Sequence, residues 1–398
     1  MLRRLWRYGQ KRLGVETACD RVVEYHRRRP AFPAAQIIRA LLTMMLTRVG
    51  SLHAMAMVGA DRTRRWSPLT VQPSDDTLSR GLDGLGSNAV RSILAHCFER
   101  LVRMKALRPR HGMWTIVIDA HESHASFDHC CRACLRRVVA TKNGDRIEYY
   151  HRHVTALVPA LPYCVALDIE PIRPGEDEVA AARRLILRIL RRFPRLFRLV
   201  LADSFYPQGA FFNFLREHRL HVMTVLKQEA RLLMQEARLL RQSVQPVHFR
   251  INEVDYSVWD IPSEDTWDSC ACPVRVIINE ERHRNEKDNA NWVWVTTLDQ
   301  DAHPAATLVP VGHDRWCIEN QGFNELSNHW HADHVYRHSP EAILASILLT
   351  MLAHLLFHQF YWHNLSHHFR RSHSKLHVAR RLLAELYFTP PVPSADTS

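Results

Sequence analysis

The sequence lacks an apolar run long enough for a typical membrane span. Its longest apolar stretch, residues 342–357, covers about 16 residues, whereas a membrane helix needs about 20. We therefore expect it to form a buried helix. The opening stretch "MLRRLWRYGQKRLGVETACD" also lacks the apolar core of a secretory signal. We expect an intracellular, cytoplasmic protein without a membrane partner.

The sequence also lacks the paired cysteines of a disulfide framework and shows no internal repeats. Its nine cysteines are odd in number and mostly scattered, which is typical of reduced thiols. In "DHCCRACLRR", Cys131 and Cys134 have metal-ligand spacing, but a structural zinc needs four ligands. Cys270 and Cys272 could supply a second pair only if the chain folds back. Cys131 and Cys134 are thus candidate zinc ligands, with free thiols as the alternative.

Acidic residues are in deficit. The chain has 53 Lys and Arg against 41 Asp and Glu, which gives a net charge of +12. A basic surface of this size usually binds a polyanion, with nucleic acid ahead of a membrane surface. The excess is largely arginine, which a GC-rich coding sequence would also produce, so the charge permits nucleic-acid binding without proving it. With 398 residues, 46% of them hydrophobic, we expect two or three domains.

Residues 1–110 read as an N-terminal helical domain. "PAAQIIRALLTMML" and "SNAVRSILAHCFERLVRMKAL" carry apolar residues at helical spacing. Between them, Ser74 and Asp75 are candidate N-caps before closely spaced glycines. The region is predicted to bind DNA. A helix-turn-helix is one interpretation, and a plain pair of short helices joined by a glycine turn, which is common, is the other.

From Met113 the pattern changes to an α/β layer with the order strand, strand, strand, helix, strand, helix, strand. We assign 111–242 to the first part of this core, and its last segment, 229–242, reads as a helix. Residues 243–299 are β-like and read as an insertion. The core resumes over 300–380, where 341–361 is helical, and 381–398 is a tail rich in Pro and Ser without predicted structure.

Two aspartates stand at the ends of apolar strands. Asp119 ends "MWTIVIDA" and Asp203 ends "RLVLADS". If these strands are parallel neighbours, the two carboxylates meet at one edge of the sheet, where they repel unless a cation lies between them. Hard oxygen ligands select Mg²⁺ or Mn²⁺, the ions of phosphoryl transfer. Each aspartate taken alone could instead cap the following turn.

A third acid lies in "RWCIENQGFNELSNHW", residues 315–330. Arg315 and Glu319 share a helix face, which by itself is explained by an ordinary ion pair. Together with "VIDAHES" and "LADSFYP", however, the segment resembles the DDE transposases of bacterial insertion sequences, in the group with a tyrosine, arginine, glutamate, lysine signature. The resemblance covers roughly residues 35–365.

This resemblance implies a ribonuclease-H-like mixed sheet flanked by helices and interrupted by a β-rich insertion domain. Asp119, Asp203 and Glu319 would be catalytic and would bind two Mg²⁺ ions, with Mn²⁺ as a substitute, and Arg315 would be the signature arginine. The implied reaction is two-metal cleavage at terminal inverted repeats and strand transfer into target DNA, with excision through a hairpin. We expect a homodimer on DNA and association with the nucleoid.

The sequence departs from the signature at two positions. Gly312 stands where the signature has tyrosine, and Leu326 where it has lysine. These residues are associated with phosphate contacts, so a catalytically inactive DNA-binding protein derived from a transposase is the alternative. Trp292 matches an aromatic that stacks on a flipped base, unless Trp292 and Trp294 simply pack on one face of a strand. The predicted DNA-contacting residues are Arg315, Trp292, Trp316, Lys227, Arg370 and Arg371.

Overall fold

The computed structural model describes residues 1–22, 25–27, 30–58, 73–227, 231–263 and 267–388. Its N-terminal helices are α1 (Leu2–Tyr8), which continues into a π-helical turn (Gly9–Leu13), α2 (Val15–Asp20), α3 (Ala34–Thr47), α4 (Leu52–Ala56), α5 (Asp75–Gly84) and α6 (Ser87–Arg103). Of the two predicted N-caps, Ser74 caps α5, because its side chain accepts a hydrogen bond from the Thr77 backbone N–H. Asp75 lies in the first turn, where its charge favours the helix dipole.

The central α/β region follows the predicted order, with one additional seven-residue strand and two additional strands of two residues each. It contains β1 (Arg108–Pro109), β2 (Thr115–Ser126), β3 (Leu135–Thr141), β4 (Gly144–Val158), β5 (Ala160–Leu161), β6 (Val165–Pro171), α7 (Glu178–Arg192), β7 (Leu199–Ala202), α8 (Gly209–Glu217) and β8 (His221–Val225). The strand β3 was not predicted. It is largely exposed and pairs along the first half of β4, so it lacks the apolar run that identifies the core strands.

The main sheet is mixed. Its core strands lie in the order β6, β4, β2, β7, β8, with β2, β4 and β6 antiparallel and β2, β7 and β8 parallel. The predicted mixed α/β class is confirmed, and this arrangement is consistent with a ribonuclease-H-like transposase fold. The parallel neighbours β2 and β7 are the strands that lead to Asp119 and Asp203.

The β-rich segment is continuous with this sheet. It contains β9 (Val247–Ile251), β10 (Val254–Ser263), β11 (Val274–Arg282) and β12 (Ala290–Thr296), all joined antiparallel. Strand β12 pairs with β8, placing Trp294 opposite Val225. The helix predicted at 229–242 is α9 (Leu232–Leu240), and residues 229 and 230 lie outside the described residues.

The C-terminal elements return to the sheet and to the N-terminal helices. They are α10 (Ala305–His313), a 3₁₀ turn (Asp314–Trp316), a π-helical segment (Ile318–Phe323), α11 (Asn324–Trp330), α12 (Pro340–Asn364), α13 (His367–Ser372) and α14 (Lys375–Phe388). The predicted tail began too early, because α14 runs to Phe388 and buries Leu382 and Leu386. Residues 389–398 of that tail lie outside the described residues.

Helix α12 contains the long apolar stretch of the sequence. By length and composition it could cross a membrane, but 78% of its apolar window is buried inside the protein. It packs against α3, α5, α6 and β6, as expected for a buried core helix. The N-terminal helices and the sheet therefore share one hydrophobic core through α12.

A second, smaller core covers the opposite face of the sheet. It includes Val117 of β2, Leu201 of β7 and Trp294 of β12, together with Cys317 and Ile318. Since side chains two residues apart on a strand share a face, Asp119 and Asp203 follow Val117 and Leu201 on this side. Glu319 directly follows Ile318, so this core holds its segment against the same face.

Candidate active site

Asp119 lies on β2, and Asp203 directly follows β7, the neighbouring parallel strand, at the matching level. The pairing of β2 with β7 places Val117 opposite Leu201, and continuing that register for two residues sets Asp119 level with Asp203. Adjacent strands are about 4.8 Å apart, so the two side chains are close neighbours. Each is oriented by a backbone N–H, from Ala120 to Asp119 Oδ1 at 2.8 Å and from Phe205 to Asp203 Oδ1 at 2.9 Å.

The electrostatics of Asp119 reflect this closeness. Burial, and after it the nearby Asp203, raise the pKa of its carboxyl to about 7, while Arg315 opposes the rise. A carboxyl that shares its site with another negative charge holds its proton more tightly. The pair therefore lies in surroundings that would favour an added cation.

Glu319 joins this pair through Arg315. Arg315 Nη2 lies 2.7 Å from Glu319 Oε1, and its Nη1 lies 3.6 Å from Asp119 Oδ2. The Arg315 side chain is 13% exposed and that of Glu319 is 47% exposed. The guanidinium thus sits between two of the three acids, and the structure brings Asp119, Asp203 and Glu319 to one edge of the sheet.

The Arg315 segment differs from a regular α-helix. Arg315 lies in the 3₁₀ turn, and Glu319 lies in the π-helical segment that precedes α11. The expected contact between residues four apart still forms. Short π-helical segments often occur at functional sites, and this one turns Glu319 outward while Ile318 stays fully buried.

Sequence reasoning missed a fourth acid beside the site. Glu178, in the first turn of α7, is 6% exposed and pairs with Arg152 at 2.8 Å. Burial raises the pKa of Glu178, and Asp203 adds to the rise. The buried Tyr206 is close to Glu178, Asp119 and Asp203, and burial with these acids raises the pKa of its hydroxyl. An acid in the first turn of a helix is ordinarily explained by the helix dipole, so the sequence alone does not single out Glu178.

Trp292 and Trp316 pack together next to Arg315. Their rings meet edge to face at 4.7 Å, and His313 packs beside both. Trp292 and Trp316 are half-buried, whereas Trp294 is 2% exposed and belongs to the second core. The interpretation of both strand tryptophans as packing residues therefore holds fully for Trp294.

The two departures from the signature occupy tightly packed positions. A Cβ atom on Gly312 would lie 2.6 Å from Cε2 of Trp294 and 3.0 Å from Cε of Met223. The indole of Trp294 thus fills the space that a tyrosine at position 312 would need. Leu326 is 4% exposed, so this position serves the hydrophobic core instead of presenting a charge.

Besides Arg315, the three other basic residues predicted to contact DNA have different surroundings. Lys227 and Arg371 are exposed. Arg370 donates hydrogen bonds to the carbonyl oxygens of Trp362 at 2.6 Å and Leu365 at 2.7 Å. Its guanidinium therefore caps the end of α12, a structural role that the sequence did not indicate.

The two cysteine pairs make separate contacts and do not form one four-cysteine metal site. Cys131 and Cys134 lie in the loop between β2 and β3 with their sulfur atoms 3.6 Å apart. The sulfur atoms of Cys270 and Cys272 lie 3.4 Å apart in a separate contact. One cluster of side chains that could hold a metal ion joins Cys131 and Cys134 to two histidines, His151 and His338.

Residues 110–356 match the family described as the transposase DDE domain, and this range covers more than half of the chain. The chain belongs to this family. It is a DDE transposase. A comparison with curated proteins gives no significant match. Membership makes DNA the substrate of this transposase and a divalent metal ion its general requirement, and it places all three acids of the site inside the matched range.

Proposed function

We propose that this transposase cuts DNA at the ends of its own element and joins the freed ends to target DNA. Asp119, Asp203 and Glu319 act as the catalytic acids and hold two Mg²⁺ ions, for which Mn²⁺ can substitute. The observation that carries the proposal is the bridging of Asp119 and Glu319 by Arg315, with Asp203 beside Asp119.

The residues present fit such a metal pair. The donor atoms are carboxylate oxygens, which Mg²⁺ and Mn²⁺ prefer over nitrogen or sulfur. Burial and the neighbouring Asp203 raise the pKa of Asp119 in spite of Arg315, which supports a place for an added cation. When bound, the ions would supply an activated water or 3′-hydroxyl and stabilise the leaving oxygen.

The protein's own residues position the acids for this chemistry. Arg315 orients the more exposed Glu319 toward Asp119. The backbone N–H groups of Ala120 and Phe205 fix the two aspartates at the sheet edge. Glu178 and Tyr206 lie buried beside the two aspartates.

Trp292 supports a hairpin route of excision. Its half-buried ring contacts Trp316, the residue next to Arg315, so it lies near the acids and can offer a face to an extruded base. Stacking of this kind contributes about 1 to 3 kcal/mol per base. Replacing Trp292 by Ala should preserve the first nick while reducing hairpin formation, and equal loss of both products would reject the stacking role.

The decisive test is strand cleavage of DNA that carries the element's own terminal inverted repeats. The variants Asp203→Asn and Glu319→Gln should lose Mg²⁺-dependent nicking and strand transfer while retaining DNA binding. Asp301→Asn, which alters an exposed acid outside the site, is the matched control and should remain active. Nicking that persists in both site variants would reject the triad. A wild-type protein that binds the ends without nicking them would instead be the silent DNA-binding derivative.

The same DNA complex tests the predicted assembly. We infer that two copies of the chain act together as a homodimer, one at each terminal inverted repeat. Light scattering measures the mass of the complex on a DNA that carries both ends. This mass should correspond to two protein chains for each pair of ends. One chain per two ends would contradict this arrangement.

A further inference from the structure

A tight turn between β2 and β3 holds two cysteine side chains together. The backbone N–H of Cys134 donates to the carbonyl oxygen of Cys131 at 3.1 Å. The N–H of Cys131 in turn donates to Cys134 Sγ at 3.1 Å. A backbone donor of this kind orients a sulfur ligand.

Two histidines from distant parts of the chain complete the cluster. Nε2 of His151, in β4, lies 3.4 Å from Cys131 Sγ and 3.3 Å from Cys134 Sγ. Nε2 of His338, just before α12, lies 3.3 Å from Cys134 Sγ. All four ligand atoms lie within 4.8 Å of one another.

These separations match a tetrahedral zinc site. With Zn–S near 2.3 Å and Zn–N near 2.0 Å, ligand atoms at tetrahedral corners are roughly 3.3 to 3.8 Å apart. We propose that Cys131, Cys134, His151 and His338 bind a structural Zn²⁺ ion. On binding, each thiol releases its proton to solvent, and each imidazole donates the lone pair of its Nε2 atom.

The chemistry of the four ligands separates this site from the acidic one. Two thiolates and two imidazoles are softer donors that select zinc over Mg²⁺, whereas the acids at the sheet edge offer only oxygen. The assignment does not depend on the proposed reaction.

The ion would tie together three segments that surround the acidic site. Cys131 and Cys134 follow β2, the strand of Asp119, and His151 lies on the adjacent β4. His338 lies between α11, which follows Glu319, and α12. His121 of β2 also pairs with Asp333 in the same connection, at 3.4 Å. Zinc would therefore fix the Glu319 segment to the strand of Asp119, so these ligands are positioning residues.

The first test is the metal content of the full-length protein, grown with zinc, freed of any affinity tag and analysed by inductively coupled plasma mass spectrometry. We expect one zinc per chain in the wild type and its loss in Cys134→Ser and His338→Ala. Cys270→Ser removes a thiol from the other close pair and should retain zinc. His338→Cys keeps a competent ligand and should also retain it.

A second test uses the wild-type chain, in case the variants fail to fold. After zinc is exchanged for Co²⁺, the protein should show the visible absorption of tetrahedral cobalt with thiolate ligands. Cys131 should be alkylated more slowly with metal than after chelation. Absence of zinc together with absence of the cobalt spectrum would overturn the proposal, as would a Cys131–Cys134 disulfide in protein prepared under reducing conditions. Undiminished zinc in a folded Cys134→Ser variant would overturn it as well.

Discussion

Asp119 holds a carboxyl in surroundings that favour its protonated form. Its pKa of about 7 lies above the ordinary value of 3.8, so the folded protein binds this proton more tightly than the unfolded chain. The resulting stabilisation is fully present below pH 3.8 and is lost as pH rises through about 7. At neutral and higher pH without metal, Asp119 therefore destabilises the fold.

Asp119→Asn should remove this penalty. In the presence of a chelator, we expect the variant to exceed the wild type in free energy of unfolding at pH 8 by on the order of 1 to 3 kcal/mol. The difference should shrink toward pH 4. Urea denaturation at both pH values measures it, with Asp301→Asn as an unaffected control. A variant less stable than wild type at pH 8 would contradict the cause assigned to the raised pKa.

Gly312 shows how one neighbour restricts a residue. Because a Cβ atom would meet the indole of Trp294, Gly312→Ala should lower the free energy of unfolding by about 1 to 3 kcal/mol. Trp294→Phe alone should also destabilise, since it leaves a cavity. The double variant should lose less free energy of unfolding than the sum of the two single losses, because the smaller ring makes room for the Cβ atom at position 312. Additive losses in chemical denaturation would show that the two positions are independent.

At the scale of elements, a buried polar cluster joins α11, α12 and α14. Glu325 accepts from His358 Nε2 at 2.9 Å and Lys375 Nζ at 3.2 Å, and His354 Nε2 lies 3.6 Å away. Burial opposes ionisation, but the hydrogen bond from His358 and the nearby His354 ring outweigh it and hold the pKa of Glu325 below its ordinary value. A buried, ionised acid of this kind stabilises the helix packing only while its donors are present.

Glu325→Gln should therefore weaken the packing of α11 on α12. We expect the free energy of unfolding to fall by about 1 to 3 kcal/mol at pH 7. Since the folded pKa is depressed, the wild-type advantage is present above the ordinary value of 4.5 and declines as pH falls below it. Thermal melts at pH 7 and pH 4 test this, with the exposed Glu217→Gln as control. If Glu325→Gln lowers the melting temperature equally at both pH values, the loss comes from altered packing and not from the charge of Glu325.

The register between β2 and β7 decides the geometry of the acids at this scale. A shift of one residue would turn Asp119 to the opposite face of the sheet from Asp203. Both faces of these strands are buried, and Val117 and Leu201 belong to one core while Ile116 and Val200 belong to the other. Hydrophobic packing on two sides therefore keeps the two acids together.

At the scale of the whole molecule, the net charge of +12 favours contact with the phosphate backbone of DNA. Arg371→Ala should weaken DNA binding and reduce the slope of log affinity against log salt by roughly 1. Arg370→Ala should chiefly lower the melting temperature, because its guanidinium caps α12. Fluorescence anisotropy over a salt series and thermal melts of both variants distinguish the roles. An unchanged slope for Arg371→Ala would exclude a phosphate contact.

The sequence by itself determined the order of the core elements and the positions of the acids along them. Apolar runs that end at Asp119 and Asp203 predict strands because alternation and burial are local properties of the chain. The spacing of Arg315 and Glu319 likewise predicts their contact. The exposed strand β3 escaped this reasoning, since its pattern lacks the apolar run that marked the others.

Only the tertiary structure decided which distant residues meet. His151 and His338 join Cys131 and Cys134 because β4 and the start of α12 pack beside the same turn. Glu178 approaches the aspartates because α7 packs on the sheet, and Trp294 fills the space at Gly312 because β12 pairs with β8. Such contacts join residues far apart in the chain, so they depend on how whole elements pack and leave no periodic trace in the sequence.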